Sequence, residues 1–299
     1  MVTLRPGRMG GSETYVRGLL RALREHGELD YRELVRGDAR VDSLDAIHYP
    51  FTIAYPRTKL RAAVTVHDVL HREPLRSPRR LVRRLTYDRS SRRADAILVP
   101  SEFVRGRVHE LLGIPEERIR VVHHGIDHDH FRPGEESREG FLFYPAEPWP
   151  HKNHARLFQA FARLRAVRPG LELVVTGTGF RDVPPGVRTV GRVGWDELPL
   201  LYRRAGALVF PSLYEGFGLP PLEAMASGCP VACSTAGSLP EVCEDAVVYF
   251  DPTSVDEMVA AVERALEGDL VPRGLERAAD FTWERCARGH DAVYRELIA

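Results

Sequence analysis

The sequence predicts two α/β domains, each built on a parallel sheet. Three observations carry this. At 299 residues the chain is long enough for two domains of ordinary size. Short apolar runs alternate with helical patterns along nearly its whole length. Several of those runs end in a glycine- or proline-bearing turn that opens a helix, the connection that places helices on both faces of a parallel sheet.

The N-terminal half begins with a glycine-rich stretch, Met9–Ser12, ahead of a helix over 13–26. Only Met1–Arg5 precede it, so the first strand of this sheet is expected to be short or missing, with an exposed edge. Strands follow at AIHYP (46–50), AAVTVHD (62–68), AILVPS (96–101) and IRVVHHG (119–125), with an arginine-rich helical segment and a helix ending at Leu112 between them. Residues 127–138, rich in Pro, Gly and charge, read as the linker. The expected domains are 1–133 and 134–281, with the amphipathic segment 282–299 packing back on the first and a cleft between the two.

In the C-terminal half the strand-like runs are 140–146, 171–177, 187–191, 207–212, 230–235 and 247–251. Helical patterns occupy 155–167, 195–205, 220–227 and 254–266. A ligand of such a sheet binds outside the carboxyl ends of its strands. The most informative segment lies there. Glu215 and Glu223 enclose the run EGFGLPPLE, directly after the apolar strand ALVFPS. The spacing puts Glu215 on a loop and Glu223 on the first turn of a helix. Pro220 and Pro221 suit the first helical positions, where a missing N–H costs nothing, and Gly228 suits the cap. Strand, glycine-bearing loop and helix aim backbone N–H groups and a helix dipole at an anion.

Composition narrows the function. Lys plus Arg equal Asp plus Glu at 42 each, so a general affinity for nucleic acid is not indicated. No apolar stretch approaches the length of a membrane span, and the N-terminus has no signal-peptide core. Cys229, Cys233, Cys243 and Cys286 form no CxxC pair, as expected of a reducing cytosol. Only Lys59 and Lys152 among the 42 basic residues are lysine, which singles out Lys152 as a place where a compact ammonium is needed.

These segments resemble the retaining glycosyltransferases of family 4, whose fold is GT-B. The resemblance is carried by PSLYEGFGLPPLEAMASGCPV around Glu215 and Glu223, GSLPEV (237–242), YFDP (249–252), YPAEPWPHKNHARLFQAF (144–161), VHD (66–68), PSEFVR (100–105), HHGID (123–127) and the pair Gly10–Gly11. It implies a nucleotide-sugar donor held mostly by the second domain. Glu223 would accept hydrogen bonds from the ribose, and Glu215 would hold hydroxyls of the transferred sugar beside the backbone of Gly216, Phe217, Gly218 and Leu219. Lys152 would meet the pyrophosphate, and the backbone around Arg192–Val193 the base. From the first domain, Gly10 and Gly11 would approach the phosphates and His67 the donor sugar near its reacting carbon. Many relatives carry an arginine six residues before the phosphate lysine; here that position is Ala146, which leaves Lys152 more of the neutralisation, with His151 or Arg156 as candidate helpers.

The implied activity is retaining transfer of a hexose, mannose-like by the WPHKNH pattern, to a saccharide or lipid-linked acceptor, with no metal needed to hold the donor. Two other classes stay open: a nucleotide-sugar epimerase of the same fold, and an inactive nucleotide-sugar-binding homologue. The segment Arg72–Arg93 carries nine arginines against Glu73 and Asp88. It reads as a solvated basic face or as a dock for anionic membrane, making the protein cytoplasmic and peripheral. His123, His124, His128 and His130 with Asp127 and Asp129 imitate a metal centre but fall in the inferred linker. TGTG (176–179) is a phosphate loop or a tight turn, and Asp68 reads as a cap.

Overall fold

The structure, a computed structural model, describes residues 1–3, 10–35, 41, 43–53, 58–72 and 80–299; of these, 2, 3, 10–12, 35 and 80–84 are described by backbone alone. The chain forms two compact units, one of Met1–Gly125 with Phe281–Ala299 and the other of Ile126–Asp280.

The first unit runs β1 (Val2–Thr3), α1 (Gly10–His26), β2 (Leu34–Val35), β3 (Ala46–Tyr49), β4 (Arg61–Thr65), α2 (Arg80–Arg93), β5 (Ala96–Val99), α3 (Glu102–Leu112) and β6 (Ile119–Val121). Strands β3-β4-β5-β6 form one parallel sheet in chain order, and β1 pairs with β2 in parallel beside it. β5 is buried along its whole length, which is why it reads as an uninterrupted apolar run. Ser101 caps α3 by accepting from the Val104 N–H, and Gly113, at φ 63°, ends it in the left-handed conformation that glycine tolerates best. Gly10 and Gly11 lie inside the first turn of α1 rather than in a loop before it.

The second unit runs β7 (Leu142–Tyr144), α4 (His154–Val167), β8 (Leu173–Val175), β9 (Val187–Thr189), α5 (Leu198–Arg204), β10 (Ala207–Phe210), α6 (Leu219–Ala226), β11 (Val231–Ser234), α7 (Leu239–Cys243), β12 (Val248–Phe250), α8 (Val255–Glu267) and α9 (Val271–Ala279). All six strands are parallel, in the order β12-β11-β10-β7-β8-β9. The chain therefore builds outward from β7 in one direction, then returns to β7's other side with β10. The gap between the ends of β7 and β10 is the switch point of the sheet, where open parallel sheets bind ligands.

Three boundaries differ from those the sequence suggests. Residues 127–138 are not a linker but part of the second unit, which begins at Ile126. Phe131 is buried, edge-on to Tyr202 at 6.0 Å and to Trp195 at 5.3 Å, and the Glu136 carboxylate takes two 2.8 Å bonds from Arg203. The division falls after Gly125 rather than Pro133 because Pro, Gly and charge mark turns, and here the turns are pinned by one aromatic and one ion pair. At the other end it falls after Asp280. Helix α9 is a further difference. Its Pro272 occupies the first turn, and Gly274 lies flat on Met225, whose Cγ would be 3.3 Å from an added Cβ.

The last helix, α10 (Trp283–Ile298), belongs to the first unit, capped by Thr282 accepting from the Arg285 N–H. It lies on α1 so closely that a Cβ on Gly18 would stand 2.3 Å from the Trp283 ring. Behind it runs a buried polar chain. His290 Nδ1 bonds the Cys286 carbonyl at 2.8 Å, so that nitrogen carries the proton and Nε2 accepts from the Tyr15 hydroxyl at 2.8 Å. Tyr15 then accepts from Thr65 at 3.3 Å, Thr65 from His48 Nε2 at 2.8 Å, and His48 Nδ1 from Tyr294 at 2.7 Å. Burial, then neighbouring histidines, hold His48 well below the usual imidazole range; burial takes His290 down to about 4.

Candidate active site

The loops that leave β7 and β10 meet at the switch point. After β7 the chain passes Ala146 and makes a tight turn over Pro150–Lys152. Asn153 follows at φ 60°, a left-handed position that asparagine adopts more readily than most residues. Its carboxamide donates to the carbonyls of Pro211 at 3.0 Å and Pro252 at 2.8 Å and accepts from Arg156 at 3.1 Å. The Lys152 carbonyl takes the buried Tyr144 hydroxyl at 2.8 Å, and the Leu213 N–H reaches the His151 carbonyl at 2.7 Å. The backbone carrying Lys152 is thus fixed to the loop that carries Glu215.

The two side chains meet. Lys152 Nζ lies 2.5 Å from Glu215 Oε1, with 18% and 14% of the side chains exposed, and 5.4 Å from the Phe210 ring. Glu215 is held from behind as well. Its carbonyl accepts from the Ser238 N–H and hydroxyl, each at 3.2 Å, and that hydroxyl also donates to the Phe217 carbonyl at 2.8 Å. Gly237 sits so close that an added Cβ would be 2.3 Å from the Glu215 oxygen, and its φ is +66°. The GSLPEV segment therefore works through Gly237 and Ser238, as a backstop for the Glu215 loop.

Glu223 is the fifth residue of α6, one turn further in than the spacing suggests, because the helix starts at Leu219 with Pro220 and Pro221 in its first turn. It is buried, and Tyr202 on α5 donates to its Oε2 at 2.9 Å. Burial pushes its carboxyl up to about 7, against the lowering effect of the Tyr202 bond. Gly218, at φ +112°, makes the turn into the helix, and a side chain there would strike Leu239. Phe217 is buried beside it.

On the far side of β7, the TGTG stretch is a tight turn with Gly177 at φ 102° and Gly179 at φ 86°. The Thr178 N–H donates to Glu147 Oε2 at 2.9 Å, while Arg192 Nε lies 3.3 Å from Oε1 of the same carboxylate. Glu147 thus ties this turn to the segment that holds the half-buried Val193. Arg156 points to Asn153 and supports the turn.

In the first unit His67 follows β4 at its carboxyl end. Its Nε2 donates to the Pro50 carbonyl at 2.8 Å, leaving Nδ1 to accept from His124 Nε2 at 3.3 Å, and Tyr15 stands edge-on at 4.8 Å. Burial lowers its pKa, so the ring is neutral near pH 7. Asp68 caps the next turn by accepting from the Leu70 N–H at 2.8 Å. Gly10 and Gly11 open α1; residues 4–9 ahead of them lie outside the described residues, as do the arginines at 76 and 79. Among the described residues no group of three or more His, Cys, Asp or Glu is gathered as a metal centre. Asp127 instead accepts from the N–H groups of Asp129 and His130 at 3.2 Å, and His130 stacks on Trp195. Arg72 is paired with Asp88, which His71 also meets at 2.9 Å, so this arginine leaves the basic face.

The sequence alone did not single out Tyr202, Asn153 or Ser238. Each acts on a residue well removed along the chain or through its backbone geometry; the HKN triplet was the one available signal, since asparagine tolerates a left-handed position.

Two Rossmann-like parallel sheets, one of four strands and one of six, make the GT-B fold. Solved structures of that fold align over nearly the whole chain: sucrose-phosphate synthase from Thermosynechococcus elongatus at 20% identity and TM-score 0.78, covering 96% of this chain and 94% of that one, and Anabaena Alr3699/HepE in complex with UDP-glucose at 16% and 0.78, covering 99% and 98%. Residues 125–281 match the family described as glycosyl transferases group 1, and residues 29–130 that described as glycosyltransferase family 4. The chain is 33% identical over 288 residues to the O-antigen chain mannosyltransferase B of Escherichia coli, which covers 86% of this chain and 76% of that protein. It is 34% identical over 212 residues to the MMP alpha-(1->4)-mannosyltransferase of Mycolicibacterium hassiacum, covering 62% of this chain but 50% of that protein. The chain belongs to the glycosyl transferases group 1 family.

Proposed function

We propose that the protein is a retaining hexosyltransferase, moving a mannose-like sugar from a nucleoside-diphosphate donor to a saccharide or lipid-linked acceptor. The observation that carries this reading is the Lys152–Glu215 contact at the switch point, 2.5 Å long and largely buried. Lys152 supplies the charge that the departing diphosphate needs, a stabilisation that grows as the sugar–phosphate bond breaks. Glu215 orients hydroxyls of the transferred sugar, and Glu223 accepts from the ribose as acidic residues do in dinucleotide folds. In this reading the bond from the sugar's anomeric carbon to the diphosphate breaks as the acceptor oxygen bonds the same face, and the leaving phosphate takes the acceptor proton. In this reading the diphosphate is neutralised by Lys152 and backbone amides rather than by a metal. Two mannosyltransferases among the relatives support the mannose-like choice, and the UDP-glucose complex of a fold neighbour supports a nucleotide-sugar donor.

Thermal-shift measurement with GDP, GDP-mannose, UDP and UDP-glucose tests the donor. A ligand at a hundred times its Kd stabilises by about 2.7 kcal/mol, and GDP and GDP-mannose are expected to raise Tm most. Stabilisation by none of the four would remove the donor assignment. No helix among the described residues is long and apolar enough to cross a membrane. The exposed part of α2, with Leu85 65% exposed beside Arg89 and Arg93, is the face we assign to anionic lipid. Sedimentation with phosphatidylglycerol liposomes tests it, and equal sedimentation with neutral liposomes would count against it.

A further inference from the structure

Trp149 stands three residues before Lys152 and is 59% exposed. Of the three tryptophans it is the most exposed; Trp195 is 43% exposed. Trp195 is stacked on His130 with centroids 4.2 Å apart and planes 6° apart, and Trp283 lies against Gly18 on α1. A large apolar side chain held in water is costly, and this one is also held still. Pro148 and Pro150 restrict the backbone on either side. The Trp149 N–H bonds the Glu147 carbonyl at 2.7 Å, and its own carbonyl takes the Lys152 N–H at 2.9 Å. The His151 ring stands 5.7 Å away, tilted by 53°. The result is an aromatic shelf on a braced turn beside Lys152, with Glu147 two residues before it and Glu215 on the adjoining loop.

We propose that Trp149 is a binding platform for a pyranose ring. The chemistry matches on both sides. A pyranose presents a flat face of C–H groups that packs on an indole, while its rim of hydroxyls needs acceptors of the kind carboxylates provide. A side chain with only two torsions, carried on a turn braced by backbone bonds, loses little freedom on binding. The inference rests on the glycosyltransferase site assigned to Lys152 and Glu215, and it adds a specificity-determining residue to that site. The ring is either the acceptor saccharide or the donor hexose, and these differ in what they require: an acceptor binds with nucleotide present, a donor ring only as part of the nucleotide-sugar.

Tryptophan emission reads the platform directly. Iodide should reach Trp149 and, less readily, Trp195, which is 43% exposed, so the Trp149 signal is read as the difference between wild type and Trp149→Phe. Methyl α-D-mannoside or α-mannobiose, added in the presence of GDP, should protect that signal if the acceptor ring sits there; GDP-mannose alone should protect it if the donor ring does. In steady-state assays Trp149→Ala should raise KM for whichever substrate gives protection by about tenfold or more, and Trp149→Phe should recover part of the loss. Absence of protection by either sugar, with GDP binding intact by thermal shift, overturns the platform while leaving the donor site standing. Loss of GDP binding in wild type would instead remove the site itself. Unchanged KM for both substrates in Trp149→Ala also overturns the proposal.

Discussion

The two units bury polar groups in opposite ways. In the first, Tyr15, Thr65, His48, His290 and Tyr294 form a chain in which each donor has an acceptor and the far end rests on a backbone carbonyl. Such a chain is closed, and it fastens α10 to α1 and β4. In the second, the polar groups at the strand ends are charged or close to it: Lys152 against Glu215, and a Glu223 whose carboxyl is pushed up to about 7. Tyr202 is the side-chain partner of Glu223, bonded to one of its two oxygens. The closed chain reads as structure, and groups with bonding capacity to spare at a switch point mark the candidate site proposed above.

Breaking the second unit's pair should have the largest effect. Lys152→Met is expected to lower transfer from the nucleotide-sugar by about 10²–10³-fold, the scale of removing one preorganised electrostatic group, with far-UV dichroism unchanged. Glu215→Gln sharpens the reading because its two effects differ in sign. The neutral amide no longer offsets the lysine's charge, so calorimetry should show tighter binding of GDP, while turnover falls because the sugar is no longer oriented. Near-wild-type turnover in either variant would refute the site.

The first unit should respond to acid and to loss of one hydroxyl. His290 titrates at about 4 when folded, below the 6.5 of an ordinary imidazole, and His48 is also lowered. The unfolded chain therefore binds more protons, so this stability is full above about pH 6.5 and is lost as pH falls toward 4. For His290 alone the loss amounts to roughly 3 kcal/mol. Tyr15→Phe removes the link between Thr65 and His290 and should cost about 1–3 kcal/mol, read as a lower urea midpoint. GDP affinity of the folded protein should not change. A flat Tm between pH 7 and pH 5 would contradict the closed-chain account.

How much of this was legible in the sequence follows the same division. Strands such as ALVF and AILV are buried along their length, so composition alone marks them. Glu215, Lys152 and Glu223 were legible because glycine, proline and a rare lysine frame them locally. The partners were not. Tyr202 lies 21 positions from Glu223 and His290 lies 275 from Tyr15, so only the fold brings them together. Residues 127–138 misled for a related reason: their composition says turn, and the contacts of Phe131 and Glu136 say domain.

The response of Glu223 to pH is the most discriminating. A carboxyl raised from 4.5 to about 7 holds its proton longer in the folded protein than in the unfolded one. Its contribution to stability is therefore full below about pH 4.5 and declines as pH rises through 7. Glu223→Gln removes this penalty, so the variant should stay close to wild type near pH 4.5 and be more stable by roughly 3 kcal/mol at pH 8. Ribose binding should move the other way. Hydrogen bonds to a charged acceptor are worth about 1.5–3 kcal/mol against about 0.5–1.5 for a neutral one, so wild-type GDP affinity should rise several-fold between pH 6 and pH 8 while the variant stays flat and weaker. A gain in stability with a loss in affinity marks a group kept for a ligand. If Glu223→Gln lowers Tm at pH 8 as well, the Tyr202–Glu223 pair belongs with the closed chain of the first unit as structure.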